Sequence, residues 1–190
     1  SSVNVIYEDK DGFLYFGTEN GLDVYNGYEF QNYHMNSFDT LSLLGNKVSS
    51  LYEDSNHMFW VGTELGISRF NPVNRSFSRP VDLKALSNGD VEPETIVEDS
   101  NGDLWIKLLK DGSLYKYAPN NGDTECMNCD SSQVLYGRSI GNIYKSVKDI
   151  LWFGTDNGLF FLNSKNKIEL YSLSSSDLGL VVTAIEQGEG

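Results

Sequence analysis

The sequence predicts an all-β chain built of β-propeller blades, and three observations predict it. The first is a repeat of about 45 residues carrying an aromatic column at Tyr15, Trp60, Trp105 and Trp152, spaced 45, 45 and 47. The second is composition. The 190 residues hold 24 aromatics, 18 Gly and 18 Asn but only three Ala, which favours short strands and turns over helices. The third is a run in each unit that is apolar without alternation, as in Met58-Phe59-Trp60-Val61. Such a strand is covered on both faces. A four-stranded sheet covered on both faces at every repeat must be sandwiched between copies of itself.

Each unit supplies its four strands in order. A first strand closes on Glu8-Asp9, Glu53-Asp54 or Glu98-Asp99, and Lys145-Ser146 takes that place in the fourth copy. A turn rich in Asp, Asn and Gly follows, then the apolar second strand, ending in Gly17-Thr18, Gly62-Thr63 and Gly154-Thr155 but in Lys107-Leu108 in the third copy. The third strand opens at Gly21-Leu22, Gly66-Ile67, Ser113-Leu114 and Gly158-Leu159, and a short fourth strand completes the unit. In the second copy the strands fall at about 48–53, 58–62, 67–71 and 76–79. The expected blades are about 3–33, 48–79, 94–126 and 140–171, with the first strand of a partial fifth blade in 181–190. Tyr15, Trp60, Trp105 and Trp152 are the expected structural core between blades. Four blades and one further strand read as part of a larger propeller, whose exposed flanks offer surfaces for self-association.

Charge and motif content narrow the function. With 27 acidic and 14 basic side chains the formal net charge is −13, which argues against a nucleic-acid partner. No apolar run approaches the roughly 18–20 residues of a membrane helix, and Ser1-Ser2-Val3 shows no leader pattern. The carboxylate pairs recur at one structural position, whereas an active site needs one constellation, so they read as turn chemistry in the first hairpin of each blade. Asp9-Lys10-Asp11-Gly12 has a faint calcium-loop look but lacks the following ligands and the closing Glu. His34 and His57 stand in separate repeats and read as solvent-facing loop residues. No nucleophile elbow, phosphate loop or metal-spaced His pair appears, so no catalytic residue, metal or cofactor is expected. Cys126-Met127-Asn128-Cys129 is the only cysteine pair and reads as a surface loop in which a local disulfide is possible in an oxidising compartment.

The pattern apolar-x-Glu-Asp, then Gly-x-Leu-Trp-x-Gly-Thr, then Gly-Leu-x-x-Tyr-Asn resembles the two-component regulator propeller repeat. Glu8-Asp9, Gly17-Thr18, Gly21-Leu22 and Tyr25-Asn26 match it, as do Gly154-Thr155 and Gly158-Leu159. That resemblance implies the periplasmic sensor region of a hybrid two-component histidine kinase, responding to polysaccharide-derived glycans. It also implies a longer parent, with a membrane helix and kinase modules outside these residues. Ligands of such discs usually sit on the face shared by the second-to-third strand loops and the blade connectors. The third repeat departs from the pattern there, which directs attention to Lys107, Lys110, Asp111, Tyr136, Arg138, Asp156 and Asn157 as candidate contacts for an acidic or hydroxylated ligand such as an oligosaccharide. Two alternatives remain open: a non-catalytic dimerisation scaffold, and a carbohydrate-active propeller enzyme.

Overall fold

The structure is a computed structural model that describes residues 2–87, 89, 91–171 and 182. The expected fifth-blade strand, Val182 excepted, and the connector 172–180 lie outside the described residues. Four antiparallel four-stranded sheets follow one another along the chain, each in strict sequence order from inner to outer strand. Blade 1 consists of β1 (Val3–Glu8), β2 (Leu14–Thr18), β3 (Gly21–Tyr25) and β4 (Phe30–Tyr33); blade 2 of β5 (Val48–Glu53), β6 (Phe59–Thr63), β7 (Gly66–Asn71) and β8 (Ser76–Ser78). Blade 3 consists of β9 (Pro93–Glu98), β10 (Leu104–Leu108), β11 (Leu114–Tyr117) and β12 (Thr124–Cys126); blade 4 of β13 (Ile140–Lys145), β14 (Leu151–Thr155), β15 (Gly158–Leu162) and β16 (Ile168–Tyr171). One short helix, α1 (Leu83–Leu86), interrupts the connector before blade 3, its first turn capped by Asp82 Oδ1 accepting from Ala85 N.

The sheets stack flank to flank, with one hydrophobic cluster at each boundary. Tyr15, Leu22, Phe59 and Val61 fill the first, Trp60, Ile67, Leu104 and Ile106 the second, and Trp105, Leu114, Leu151 and Phe153 the third. The middle strands β6 and β10 are buried at every residue, as apolar runs without alternation require. Two outer flanks remain uncovered. Ile6 on β1 is 60% exposed. Trp152 is only half-buried, packing at 5.0 Å against the half-exposed Tyr171 and at 5.5 Å against Phe161. Trp152 therefore differs from the core role expected of it: Tyr15, Trp60 and Trp105 each have a following sheet to cover them, whereas Trp152 faces the free flank of blade 4.

The glycine that ends the second strand is explained by the same stacking. A Cβ on Gly17 would stand 2.5 Å from Val48, and one on Gly62 would meet Ser50 at 2.2 Å and Pro93 at 3.0 Å, so the next blade's inner strand lies directly on it. Gly154 is approached in the same way by Val182, whose N–H donates to Thr155 O at 2.8 Å. The threonines beside these glycines are buried and donate Oγ1–H to Gly21, Gly66 and Gly158 carbonyls at 3.0, 3.1 and 2.8 Å, closing the turn into the third strand.

Each repeat's aspartate has two duties. Asp54 Oδ1 accepts from Asn56 N and Met58 N at 2.9 and 3.0 Å, and Oδ2 accepts from Trp60 Nε1 at 2.8 Å. Asp99 repeats this with Asn101 N, Asp103 N and Trp105 Nε1. Asp9 does so with Asp11 N, Phe13 N and the Tyr15 hydroxyl, at 3.0, 2.9 and 3.2 Å. The turn reading thus accounts for one oxygen; the other anchors the blade's central ring. In blade 4 the residue is Ser146, whose hydroxyl accepts from Ile150 N but offers no carboxylate to Trp152.

Candidate functional site

The face expected to carry ligands is formed by the turns after β2, β6, β10 and β14 together with the connectors. Gly21 N donates to Asn46 O at 2.6 Å, and the Glu64 carboxylate accepts from Asn46 N and Lys47 N at 3.1 and 2.9 Å, so the 34–46 connector is strapped down onto these turns. Glu64 is thereby committed to holding backbone.

Polar pairs join neighbouring inner strands around the central opening. Asn4 Nδ2 donates to Val48 O and to Glu19 Oε1. Lys47 Nζ pairs with Glu92 at 2.9 Å, and that bond and charge raise the Lys47 ammonium above its ordinary range. Lys107 Nζ stands 2.7 Å from Glu94 Oε2 and donates to Gly141 O at 2.8 Å. Lys47, Glu92 and Glu94 were not singled out by sequence reasoning. The signal available was their spacing, since Lys47 and Glu92 both immediately precede a first strand and differ by one repeat.

The candidate residues do not converge on a single point. Lys107 is not a free cation: its side chain is 8% exposed, and its ammonium is held between β9 and β13. It occupies the column that holds glycine in the other blades, and the facing inner strand of blade 4 has Gly141 to receive it, so the large and small residues have exchanged sides. Lys110 and Asp111 lie exposed in the turn between β10 and β11, with Asp111 Oδ1 accepting from Ser113 N. Asp111 also lines a cleft of about 440 Å³ with Ser87, Gly89, Ser113, Tyr115 and Cys129; burial raises the Tyr115 phenol. Arg138 and Asn157 are brought together. The guanidinium sits 4.8 Å from the Phe160 ring centre, donates through Nη1 to Asn157 O at 3.4 Å, and donates through Nε to Val134 O. Asp156 is exposed beside them, and Tyr136 is 53% exposed on the connector leading to Arg138. This corner offers hydrogen-bond donors and acceptors around an aromatic-backed cation, suited to binding polar groups and not to breaking bonds.

Cys126 and Cys129 are joined in a disulfide with Cα atoms 5.5 Å apart. The bridge encloses Asn128, whose Nδ2 donates to Gly112 O and Arg138 O and whose Oδ1 accepts from Leu114 N. Among the described residues no three His, Cys, Asp or Glu side chains are placed to hold a metal ion. Nor does any described helix have the length and apolarity to cross a membrane.

A sequence profile of the two-component regulator propeller matches residues 1–20 and 42–64, the first hairpins of blades 1 and 2 with their leading connectors. These are two-component regulator propeller repeats. The chain of regulator propeller repeats shares its fold with the extracellular domain of a hybrid two component system from B. thetaiotaomicron, at 22% identity and a TM-score of 0.70, over 88% of this chain and 23% of that one. A one component system extracellular domain from the same organism gives 22% identity and 0.66, over 94% and 23%. A streptogramin B lyase gives 19% identity and 0.62, over 95% and 58%. At these identities the likeness is one of fold, a β-propeller of which this chain spans less than a quarter in the first two cases. No curated protein matches the chain.

Proposed function

We propose that these repeats form an extracytoplasmic, non-catalytic sensor module of a hybrid two-component histidine kinase, held in the periplasm and responding to polysaccharide-derived glycans. The observation that carries this reading is the regulator propeller repeat itself, matched at residues 1–20 and 42–64. Fold neighbours that are extracellular domains of two component systems agree with it. Neighbours include a lyase, but the face described above assembles no nucleophile, base and oxyanion donor within bonding reach of one another. The proposed contact surface is the corner of Lys110, Asp111, Tyr136, Arg138, Asp156 and Asn157, where hydroxyls and carboxylates of a sugar meet a cation, amides and an exposed ring.

The test is a calorimetric titration of a panel of neutral and acidic oligosaccharides against the wild type, Lys110→Glu and Arg138→Ala. Saturable binding that weakens at least tenfold in either variant supports the assignment. Binding with unaltered affinity in both removes it from this corner. A second reading, a scaffold that dimerises, is favoured by the uncovered flanks at Ile6 and Trp152. Light scattering with Ile6→Lys would show it as a dimer that dissociates.

A further inference from the structure

On the opposite face of the disc a cleft opens at each of the first two blade boundaries, and comparing them isolates what one of them lacks. The cleft between blades 2 and 3 is about 280 Å³ and is lined in part by Asp54, Glu98, Leu104 and Arg69. The Arg69 guanidinium lies 5.4 Å from the Trp60 ring centre and 3.7 Å from Asp54 Oδ2. At the third boundary Lys116 plays the same part, 5.6 Å from the Trp105 ring centre and 2.8 Å from Asp103 Oδ2. Arg69 and Lys116 are the direct cross-strand partners of those two rings. A cation over the blade's central ring, paired with a carboxylate, is therefore a recurring element of these boundaries.

Blade 1 omits it. The cross-strand partner of Tyr15 is Val24, which carries no charge and is too short to enter the cleft between blades 1 and 2. That cleft is the larger, about 460 Å³, and it keeps its acids: Asp9, Asp11 and Glu53 line it. The one lining cation, Lys10, is engaged elsewhere. Its Nζ donates to His57 Nε2 at 2.9 Å, His57 Nδ1 bonds Glu53 Oε1 at 2.7 Å, and the Tyr7 hydroxyl donates to Glu53 Oε2 at 3.1 Å. His57 holds this relay from a left-handed backbone position, φ 60°, where blades 1 and 3 have Gly12 and Gly102. Apolar surface completes the cleft, with Phe13 and Met58 on its walls and Val73, 91% exposed, on its rim.

We propose that the cleft between blades 1 and 2 binds a small organic cation, a primary ammonium or guanidinium on a slender apolar stem. The charge lies beside Asp11 and Asp9, and the stem runs along Phe13, Met58 and Val73. The ligand supplies from solution what Arg69 and Lys116 supply from their own strands. This inference stands apart from the glycan reading, which concerns the other face and other residues.

The test titrates n-butylguanidinium chloride into the protein, with n-pentanol as the neutral probe of similar shape, following the Met58 methyl and His57 ring resonances by NMR. The expected result is saturable shifts at both groups with the guanidinium and none with pentanol at equal concentration. Affinity should fall at least fivefold in Asp11→Asn, an exposed substitution that leaves the fold intact, and be lost in Val24→Arg, which restores the missing cation. If Val24→Arg does not keep the wild-type spectrum, Asp11→Asn decides. Equal response to pentanol, unaltered affinity in Asp11→Asn, or shifts confined to residues away from this cleft would each overturn the proposal.

Discussion

The double duty of the repeat aspartate gives the sharpest test of how these blades are held. In Asp54→Ala the turn loses an ionised acceptor for Asn56 N and Met58 N, and the fully buried Trp60 loses the partner of its indole N–H. The turn amides regain water, but the indole N–H cannot, and a buried donor left unsatisfied costs about 1–3 kcal/mol. With the weakened turn the expected destabilisation is about 3 kcal/mol, which for a chain of this size lowers the melting temperature by about 6–12 °C. The second step of the experiment separates the two duties. Adding Trp60→Phe to Asp54→Ala removes the orphaned donor, so its effect in that background should be milder than in the wild type by about 1–2 kcal/mol. Melting curves by circular dichroism on the four proteins give this coupling directly. A strictly additive cycle, or an Asp54→Ala melt within about one degree of wild type, would refute the anchoring role.

Three further outcomes follow from packing and burial. Gly62→Ala would put a methyl 2.2 Å from Ser50 Oγ and 3.0 Å from Pro93 Cβ, and such overpacking should cost about 1–3 kcal/mol, read as a lowered denaturation midpoint in urea. Trp105→Ala should cost about 3–5 kcal/mol, whereas Trp152→Ala, on the uncovered flank, should cost less than half of that; equal losses would contradict the asymmetry of the two sites. Burial and the neighbouring Glu53 push the Tyr7 phenol up to about 12 from its ordinary 10.0. The folded state then holds that proton more tightly than the unfolded chain. Its contribution is therefore full below pH 10 and is lost as pH rises towards about 12. Stability measured across that window should decline less steeply in Tyr7→Phe.

Much of this architecture was written in the sequence because a repeat reports its own constraints several times over. Gly17, Gly62 and Gly154 mark where the next blade touches, and the alternation-free strands mark sheets covered twice. The features that escaped were of two kinds. Some depend on what lies beside a residue and not on the residue itself: Trp152 matches Trp60 in its column, yet without a following sheet in the described residues it is half-buried. Others arise where the repeat is broken. Lys107 reads as a cation near a loop, but its place in the glycine column puts it inside the wall against Gly141, an exchange visible only when the facing strand is known. The relay from Lys10 through His57 to Glu53 joins positions 47 and 4 residues apart across a boundary, and no local pattern announces it. The carboxylate pairs were legible as turn formers; their constant distance of six residues from the ring was the unread clue to the second oxygen's role.

The Lys107 exchange also has a mechanical meaning. Around Gly17 and Gly62 the inner ends of adjacent blades meet through bare carbon against carbon, a joint that neither salt nor water can compete for. Between blades 3 and 4 that joint is an ammonium shared by Glu94 and a backbone carbonyl, with Glu94 40% exposed towards the axis. Solvent ions and hydrating water can take over either half of such a clasp. When the assembly is strained, its axial edge will part at this seam first and swing about it, leaving the other two joints shut.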